Sequence, residues 1–580
     1  MAAVRRGGSP EQSDVPPTLE PGPANPARPP TGSRPPGPGR VATRRRLLAS
    51  AAAVLAVVLL FVAYLRVSRT YQENSDSANI LLMSWDMLHG NVLLHGWYLS
   101  DVSFLTTELP QYAMLEALLG LHTDTAHVAA AMTYTLVLVF AVLLAAGPRD
   151  RGPGKWGQRA GAAWLRMALT AGVMIAPQLG VGVFVLLLSV GHIGTAVPLM
   201  LTWLVIDWAA SRPRWFVPVI VGVLLTWVLV ADPLVLVVGI VPLVLVCLVR
   251  VVGAVAQTRD RTAALQARWY EVSLAAAAIL AYGLADVVNR LLARGGGFVL
   301  HPLGYQLAPV HTWPKHAWVT GEGLLALFGA KPQGPAAEMA FALVHLAGVA
   351  LVAWVMWRVA RRFLSWPDLI GQVLLVAIVL NVVVYIPSTL ADATDLNARE
   401  FAVVLPFGAV LAGRTLLAGR ARATGLRDGT AARRRVALAT AVGTVLAAGY
   451  AASLGYAAAQ PSAPPANAQL AAFLASHHLT GGVGGYWQSS IVTVESDGAV
   501  TVRAVWADTL RPYPWESKAS WYDPRSQRAT FLVTDSQPGF FNYWQPSPAA
   551  LASYGPPARV YRFGPYTVFV WGKNLLAGPG

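Results

Sequence analysis

A carboxylate just after the first long apolar run of the chain is the strongest candidate for chemistry. Asp76 is the second residue of the stretch SDSANILLMSWDMLHGN (75–91), which follows the apolar residues 47–65. Apolar side chains recur in this stretch at near-helical spacing, Ser75 is a candidate N-cap, and a carboxylate in the first turn suits the helix dipole. The pattern predicts an amphipathic helix lying along a membrane interface. Asp76 either caps this helix or offers its carboxylate to a reaction.

A second carboxylate precedes the next long apolar segment. Glu108 stands in TTELPQYAMLEALLGLH (106–122), where it is either a loop carboxylate near a helix start or a group at the mouth of a helix bundle. The later segment 292–337 holds histidines, lysines and aromatic residues, but it has no HExxH pattern and no clustered carboxylates. We therefore expect no cofactor and no metal site such as zinc, and a role for a divalent cation stays an open alternative.

The elements that must position these groups cross a membrane. Of the 580 residues, 55% are hydrophobic and only 13% are charged, whereas soluble domains carry roughly a quarter charged residues. Apolar runs of roughly 20 residues recur along the chain, the length that crosses a bilayer core. The sole cysteine, Cys247, lies in an apolar run and leaves no disulfide framework. The composition predicts a polytopic α-helical membrane protein.

The apolar runs and the basic residues together predict a topology. About eleven transmembrane helices are expected at 47–66, 127–147, 161–190, 193–210, 215–231, 233–250, 270–291, 338–357, 369–387, 401–418 and 436–458. Lys and Arg crowd into alternate short loops, so the net charge of +15 reflects the positive-inside rule, and no nucleic-acid partner is expected. This orientation places the N-terminus in the cytoplasm and the long loops 67–126 and 292–337 on the outer side.

The two ends of the chain differ from the part between them. Residues 1–46 are rich in Pro, Gly, Ser and Arg, which predicts a disordered cytoplasmic tail before the transmembrane domain 47–458. Residues 459–580 read as a small extracytoplasmic α/β domain. A helix is expected at 468–479, and strands are expected at 489–496, 499–505, 529–535 and 566–571.

Two composition features of this last domain allow more than one interpretation. The stretch GGVGGYW (481–487) is expected to be a turn between a helix and a strand, because no P-loop lysine follows it. The tryptophans either stack on sugar rings or, as we expect for most of them, form a compact core; they are Trp487, Trp506, Trp515, Trp521 and Trp544.

Three stretches resemble the GT-C superfamily. Asp76 follows the first span by about ten residues and leads into LLMSWDMLHGN (81–91); ELPQYAMLEALLG (108–120) precedes the second span; and NAREFAVVLPFGAVL (397–411) contains Arg399 before a late span. This superfamily consists of membrane glycosyltransferases that use polyprenyl-phosphate sugars, among them protein O-mannosyltransferases and the lipid A aminoarabinose transferase. The resemblance implies a GT-C-like transmembrane domain in the cell membrane.

The resemblance also implies a reaction. A sugar would move from a polyprenyl phosphate to an acceptor hydroxyl of a glycan, lipid or protein at the outer face of the cytoplasmic membrane, in one inverting displacement. Asp76 would act as the base, with Glu108 as a second catalytic carboxylate. Arg399 would bind the donor phosphate, since a guanidinium can hold phosphate oxygens in pairs. Additional cations for this phosphate would be Lys315, His311 and Arg290.

Structural alternatives remain for these cations, and two other classes of function compete with the transferase. Arg399 could anchor the start of a span, and Arg290 could simply pair with Asp286 four residues earlier. A lipid or polysaccharide transporter would place polar or broken segments near the middle of the bilayer, where this sequence is almost purely apolar. A non-catalytic envelope scaffold that binds through its outer domain is the third class.

Overall fold

The computed structural model describes residues 38–147, 156–188, 191–302, 304–391, 394–416, 430–539 and 541–578. The predicted disordered tail lies outside the described residues except for its last part, 38–46, which is helical. Residues from Ala56 onward form one compact unit, and of the preceding unit the structure describes Pro38–Leu55. The predicted cytoplasmic loops 148–159 and 419–435 also fall largely outside the described residues.

The apolar segments fold as helices, as expected. Their bounds are α1 Pro38–Ser68, α2 Ser75–Leu88, α3 Glu108–Leu119, α4 Thr123–Ala146, α5 Trp156–Met174, α6 Val181–Leu187, α7 Ala196–Ala209, α8 Val217–Ala231, α9 Val241–Thr258, α10 Arg261–Ala267, α11 Trp269–Arg294, α12 Trp313–Leu327, α13 Ala336–Ala360, α14 Leu369–Tyr385, α15 Val404–Leu416 and α16 Thr430–Ala458. A π-helical turn, Leu236–Ile240, leads into α9. The fold is that of a multi-pass membrane protein.

The lengths of these helices refine the expected span count. Within the described residues, five helices are long and apolar enough to cross a membrane, and a sixth span results if the pair Asp395–Phe401 and Val404–Thr415, bent by 57°, is counted as one. Four of the other predicted spans correspond to apolar helices of 10–17 residues. Each predicted segment thus contains a helix, but several of these helices are shorter than the sequence pattern suggests.

The predicted span 161–190 is not one helix. α5 ends at Met174, an irregular stretch follows, and the short α6 begins at Val181. Pro177 in this stretch lacks a backbone N–H, and Gly180 adopts a φ of +76°, a left-handed conformation that favours glycine. The break leaves α6 packed near the segment Asp395–Phe401, at the end of the bundle where the candidate site lies.

The helix that carries Asp76 is buried more deeply than an interfacial helix would be. Nine residues of α2 are buried, and the helix packs against α3 and against a helix of the C-terminal region. Its N-cap is Asn74, not the expected Ser75: the Asn74 Oδ1 atom accepts from the backbone N–H groups of Asp76 and Ser77 at 3.0 and 3.3 Å. Because Asn74 caps the helix, the carboxylate of Asp76 is available for other contacts.

The strands of the structure are β1 Trp97–Leu99, β2 Val299–Leu300, β3 Gly481–Gly484, β4 Thr501–Ala504, β5 Ser517–Lys518, β6 Phe531–Asp535, β7 Arg559–Phe563 and β8 Tyr566–Val570. The C-terminal region contains a five-stranded sheet in the order β4-β3-β6-β8-β7. β3 runs parallel to both of its neighbours, and β8 pairs antiparallel with β6 and β7. The helices of this region are Ala468–Ser476, Ser490–Glu495 and Pro548–Ser553. The mixed sheet confirms a small sheet-containing C-terminal region.

Two expectations for this region were wrong. The stretch 489–496 forms the helix Ser490–Glu495 instead of a strand, because Ile491, Val492 and Val494 are buried in one core with α2, and this packing outweighs their β propensity. The glycine-rich stretch forms strand β3 instead of a turn. A Cβ atom at Gly482 would collide with the ring of Phe531, so a glycine is required for β3 to lie beside β6.

A second, three-stranded sheet joins the long loops to the C-terminal region. Its order is β2-β1-β5, so one strand comes from each of the loops 67–126 and 292–337 and one comes from the C-terminal region. Beside it, the Lys518 ammonium contacts the Asp86 carboxylate at 2.9 Å, and the Trp97 indole N–H donates to Asp86 at 2.7 Å. The segments expected on the outer side therefore gather at the same end of the bundle.

Replacing Lys518 is expected to loosen this connection. In Lys518→Met, the partly buried Asp86 keeps its bonds from Trp97 and Asn91 but loses its cation, which should cost about 1–2 kcal/mol. Thermal unfolding of the purified protein, and the rate of proteolysis in the linker 459–467, would measure the loss. Lys573→Met, at an exposed position of the same region, is the control, and equal stability of the two variants would contradict the prediction.

Candidate active site

A cavity of about 270 Å³ lies where the first long loop, the segment Asp395–Phe401 and the C-terminal region meet. Its polar lining comes from these three parts and from the break before α7, which holds His192; the charged members are Asp76, Asp101, His192, Arg399, Glu400 and Glu516. The volume is near the lower end of the range for small-molecule sites, roughly 300 Å³. Convergent charged groups in a partly closed cavity are the usual mark of a binding or catalytic site.

Asp76 and Arg399 form an ion pair at this cavity. The Asp76 Oδ2 atom accepts from the Arg399 Nη1 group at 3.3 Å, and about one third of the Arg399 side chain, 34%, is exposed. The other oxygen of Asp76, Oδ1, accepts from the Tyr486 hydroxyl at 2.7 Å. A carboxylate and a guanidinium thus share one cavity. The sequence predicted a role for both residues, but it did not predict that they are in contact.

Beneath Asp76 lies a buried polar group from the C-terminal region. The Tyr486 hydroxyl contacts the Glu516 Oε2 atom at 2.6 Å, and the Asn79 amide donates to both of them at 3.1 and 3.2 Å. Burial, together with the charge of Asp76, raises the pKa of Glu516 to about 8. The backbone of Glu516 has a φ of +45°, a left-handed conformation that is costly for a residue with a side chain and is often retained at functional sites.

A histidine held by two carboxylates also lines the cavity. The His192 Nδ1 atom lies 2.7 Å from the Asp232 Oδ2 atom, and Nε2 lies 3.0 Å from the Glu400 Oε2 atom. Since carboxylates only accept hydrogen bonds, both ring nitrogens must donate, which requires the imidazolium form. Burial opposes this charge, but Asp232 and Glu400 outweigh it and raise the pKa of His192 well above its usual value. The arrangement holds Glu400 beside Arg399.

Aromatic side chains form much of the remaining lining. They come from the first long loop, from α6 and from the C-terminal region, and besides Tyr486 they are Phe104, Phe184, Trp487, Tyr513, Trp515 and Phe541. The Trp487 and Phe541 rings meet edge to face with centroids 4.7 Å apart. Of the five tryptophans considered above, Trp487 and Trp515 line the cavity, whereas Trp521 packs edge to face on Trp97. The expectation of a core role therefore does not hold for the two that line the cavity.

Glu108 lies apart from the cavity lining. It is 3% exposed at the start of α3, where its carboxylate accepts from the Thr107 hydroxyl and lies against the backbone of Gly194. Burial, with a smaller contribution from the charge of Asp232, raises the pKa of Glu108 to about 7. A carboxyl group of this kind could hold a proton close to His192, but its catalytic role stays a prediction.

The three additional cations are also apart from the cavity lining. Arg290 forms an exposed ion pair with Asp286 at 2.9 Å, four residues earlier in α11. His311 and Lys315 are exposed, in the turn Val310–Thr312 and in the first turn of α12. Their part in phosphate binding stays a prediction. Among the described residues, no group of three or more His, Cys, Asp or Glu side chains is arranged to hold a metal ion, and the expected absence of a cofactor stays a prediction.

Several lining residues were not predicted from the sequence. Tyr486 and Glu516 belong to the C-terminal region, more than 400 residues from Asp76. Asp101 follows strand β1, and burial raises its pKa. His192 and Asp232 carried one usable signal, since each is a single ionisable residue in a short break between apolar segments, where burial without a partner is costly.

These features define a polytopic membrane protein with a charged, aromatic-lined cavity at one end of its helical bundle, closed by a C-terminal sheet region. The chain is similar in fold to ArnT from Cupriavidus metallidurans bound to undecaprenyl phosphate, with a TM-score of 0.51 at 15% identity over 92% of this chain and 100% of that chain. The same protein in the apo state gives 0.50 at 14% identity, over 93% and 100%. An oligosaccharyltransferase of Archaeoglobus fulgidus gives 0.43 at 12% identity, over 83% and 69%.

ArnT is a GT-C family member, so the likeness confirms the GT-C type of fold expected from the first loop. No family model matches the sequence, and neither does the sequence of any curated protein. The shared fold is therefore the firm result of these comparisons.

Proposed function

We propose that the protein is an integral membrane glycosyltransferase that moves a sugar from a polyprenyl-phosphate donor to an acceptor hydroxyl. The observation that carries the proposal is the pair formed by Asp76 and Arg399 at the edge of the cavity. A base for the acceptor and a cation for the leaving phosphate are the two groups that such a transfer needs. ArnT, which shares the fold, binds undecaprenyl phosphate in one of its crystal structures, and this supports the choice of donor.

The transfer is one displacement with inversion at the anomeric carbon. The acceptor oxygen forms a bond to that carbon as its proton moves to Asp76. The bond between the anomeric carbon and the phosphate oxygen breaks, and its electron pair stays with the polyprenyl phosphate, where the Arg399 guanidinium offsets the growing negative charge. No covalent intermediate with the protein is formed, and no metal ion takes part in the proposed step.

The site also suits the physical form of the substrates. A lipid-linked donor presents its phosphate and sugar at headgroup depth, and the cavity lies at the end of the bundle where the long loops and the C-terminal region meet. Aromatic faces such as those of Trp487 and Trp515 commonly pack on the apolar faces of sugar rings. The positive-inside pattern supports an extracytoplasmic site in the cell membrane, with a glycan, a lipid or a protein as acceptor.

Thermal stabilisation by lipid phosphates tests this function. The full-length protein in lipid nanodiscs should unfold at a higher temperature with undecaprenyl phosphate or with the matching polyprenyl-phosphate sugar. At a ligand concentration one hundred times the dissociation constant, binding should raise the free energy of unfolding by about 2.7 kcal/mol. Undecaprenol, which lacks the phosphate, is the ligand control and should give no shift. If neither undecaprenyl phosphate nor any member of a panel of polyprenyl-phosphate sugars shifted the unfolding temperature, the proposal would be overturned.

Product formation separates the transferase from a flippase or a scaffold. The donor that stabilises the protein should, with a suitable acceptor, be consumed and release polyprenyl phosphate, measured by chromatography of the lipid. A flippase would carry the donor across proteoliposomes without cleaving it. Stabilisation without cleavage in the presence of a broad acceptor mixture would contradict the transferase assignment.

A further inference from the structure

A buried chain of three oxygen atoms connects Asp76 to the C-terminal region. The Asp76 Oδ1 atom, the Tyr486 hydroxyl and the Glu516 Oε2 atom follow one another at 2.7 and 2.6 Å. Glu516 is 5% exposed, and Asn79 on α2 donates to both of the last two atoms. The transfer step proposed above requires Asp76 but assigns no task to Tyr486 or Glu516.

The number of protons in this chain follows from its geometry. Two short contacts between oxygen atoms need two protons, one for each hydrogen bond. A phenol has a single O–H to donate, and an ionised carboxylate has none. Therefore, besides the proton of Tyr486, one of the two carboxyl groups must carry a proton.

The surroundings decide which carboxyl group carries it. Asp76 has the Arg399 guanidinium at 3.3 Å, which stabilises a charged carboxylate. Glu516 lies deeper, and its burial and the nearby charge of Asp76 raise its pKa to about 8, although Tyr486, Asn79 and the more distant Arg399 act in the opposite direction. Tyr513 also faces this group, and burial together with the charge of Glu516 raises its pKa. At neutral pH the proton belongs on Glu516.

We propose that Glu516 is a positioning residue that stays protonated at neutral pH, donates to the Tyr486 oxygen and so directs the Tyr486 proton toward Asp76. This inference rests on the proposed function for its effect on rate. The Tyr486 hydroxyl group then accepts hydrogen bonds from Asn79 and from Glu516 and donates one to Asp76. These three bonds use the full hydrogen-bonding capacity of the hydroxyl group. Glu516 neither gives nor takes a proton during transfer; the acceptor proton enters and leaves through Asp76.

Ionisation of Glu516 should undo this arrangement. Two carboxylates would then compete for the single proton of Tyr486, and Asp76 would lose the donor that holds one of its oxygens in place. Orientation of a base is a large part of its catalytic effect. The rate of transfer should therefore fall as the pH rises through about 8.

The pH profile of Glu516→Gln tests the inference. A glutamine amide donates to Tyr486 at every pH, so this variant should keep the neutral rate and lose the decline above about pH 8. Glu516→Ala should lower the neutral rate by about tenfold, the loss expected for one hydrogen bond to a charged network, and should also lack the decline above about pH 8 because it holds no competing carboxylate. An inactive glutamine variant that folds, or an unchanged alkaline decline, would overturn the inference.

A second measurement does not depend on activity. Infrared spectra of the full-length protein at neutral pH should contain a carboxylic-acid C=O band that is absent from Glu516→Gln and disappears above about pH 8. The control is Glu495→Gln, because Glu495 is another largely buried carboxyl group of the same region, and burial raises its pKa to about 7.

The two measurements separate two kinds of failure. If the Glu516 band is present but no variant transfers sugar, the proton assignment holds and the proposed function fails. If transfer occurs but the band is missing at neutral pH, the proton assignment fails and the transferase stands.

Discussion

Asp76→Asn is expected to lower the rate of sugar transfer by about a thousandfold, within the range for losing a general base. An asparagine has nearly the same shape as aspartate, and its amide oxygen can still accept from Tyr486 or Arg399, so the helix and the cavity should keep their form. It cannot take the proton of an acceptor hydroxyl. The measurement is the initial rate of polyprenyl phosphate release under saturating donor.

The control for this variant is Asp286→Asn. Asp286 is a carboxylate on α11 that forms an exposed ion pair and does not line the cavity, so its variant should transfer sugar at the wild-type rate. Asp76→Asn should still bind the donor, as measured by the increase in its unfolding temperature. A folded Asp76→Asn protein with normal turnover would remove this carboxylate from the reaction.

The sequence was sufficient to predict features that depend on short stretches. The apolar runs predicted a helix within every expected span, because backbone groups in a bilayer must find hydrogen bonds inside their own segment or in the surrounding protein. The break at 175–180 within the predicted span 161–190 was not predicted. A candidate capping residue and the helical spacing of the apolar side chains predict the start of α2 to within one residue, although the N-cap is Asn74 and not Ser75. Asp76 was proposed as a site residue because it is ionisable at a position where ionisable groups are costly, and it lines the cavity; its catalytic role stays a prediction.

Features that depend on distant parts of the chain could not be predicted. Arg399 and Asp76 are 323 residues apart, and Tyr486 and Asp76 are 410 residues apart. No local pattern encodes such a meeting. Asp86 shows the same limit: it resembles a solvated residue on a polar helix face, yet it binds Lys518 and Trp97 and thereby connects α2 to the C-terminal region.

The same reason explains the wrong strand at 489–496. β-branched residues are typical of strands when they lie on a half-buried pleated surface. Here Ile491 and Val492 are fully buried against α2, a contact that exists only once the first loop and the C-terminal region have come together. The candidate site and the sequence-based error thus lie at the same junction, which brings Asp76 and Glu516 within one hydrogen-bond chain.

Arg399→Lys is expected to raise the KM for the lipid donor by about tenfold or more, with a smaller effect on folding. Lysine keeps the positive charge beside Asp76 but replaces a planar fork of donors with a single ammonium, so it cannot hold two phosphate oxygens at once. The aliphatic part of Arg399 packs on Gly191, and a lysine stem can make the same contact. Steady-state kinetics with varied donor would measure the change.

The size and kind of this effect distinguish a phosphate-binding residue from a membrane anchor. Arg294→Lys, at an exposed position near the end of α11, is the matched control and should leave the KM unchanged. An anchor needs only a long cationic side chain, which lysine supplies as well as arginine, so under that alternative Arg399→Lys would behave like the control. A neutral variant, Arg399→Met, would under the anchor alternative fail to insert, whereas a phosphate-binding role predicts an inserted protein that no longer gains stability from undecaprenyl phosphate.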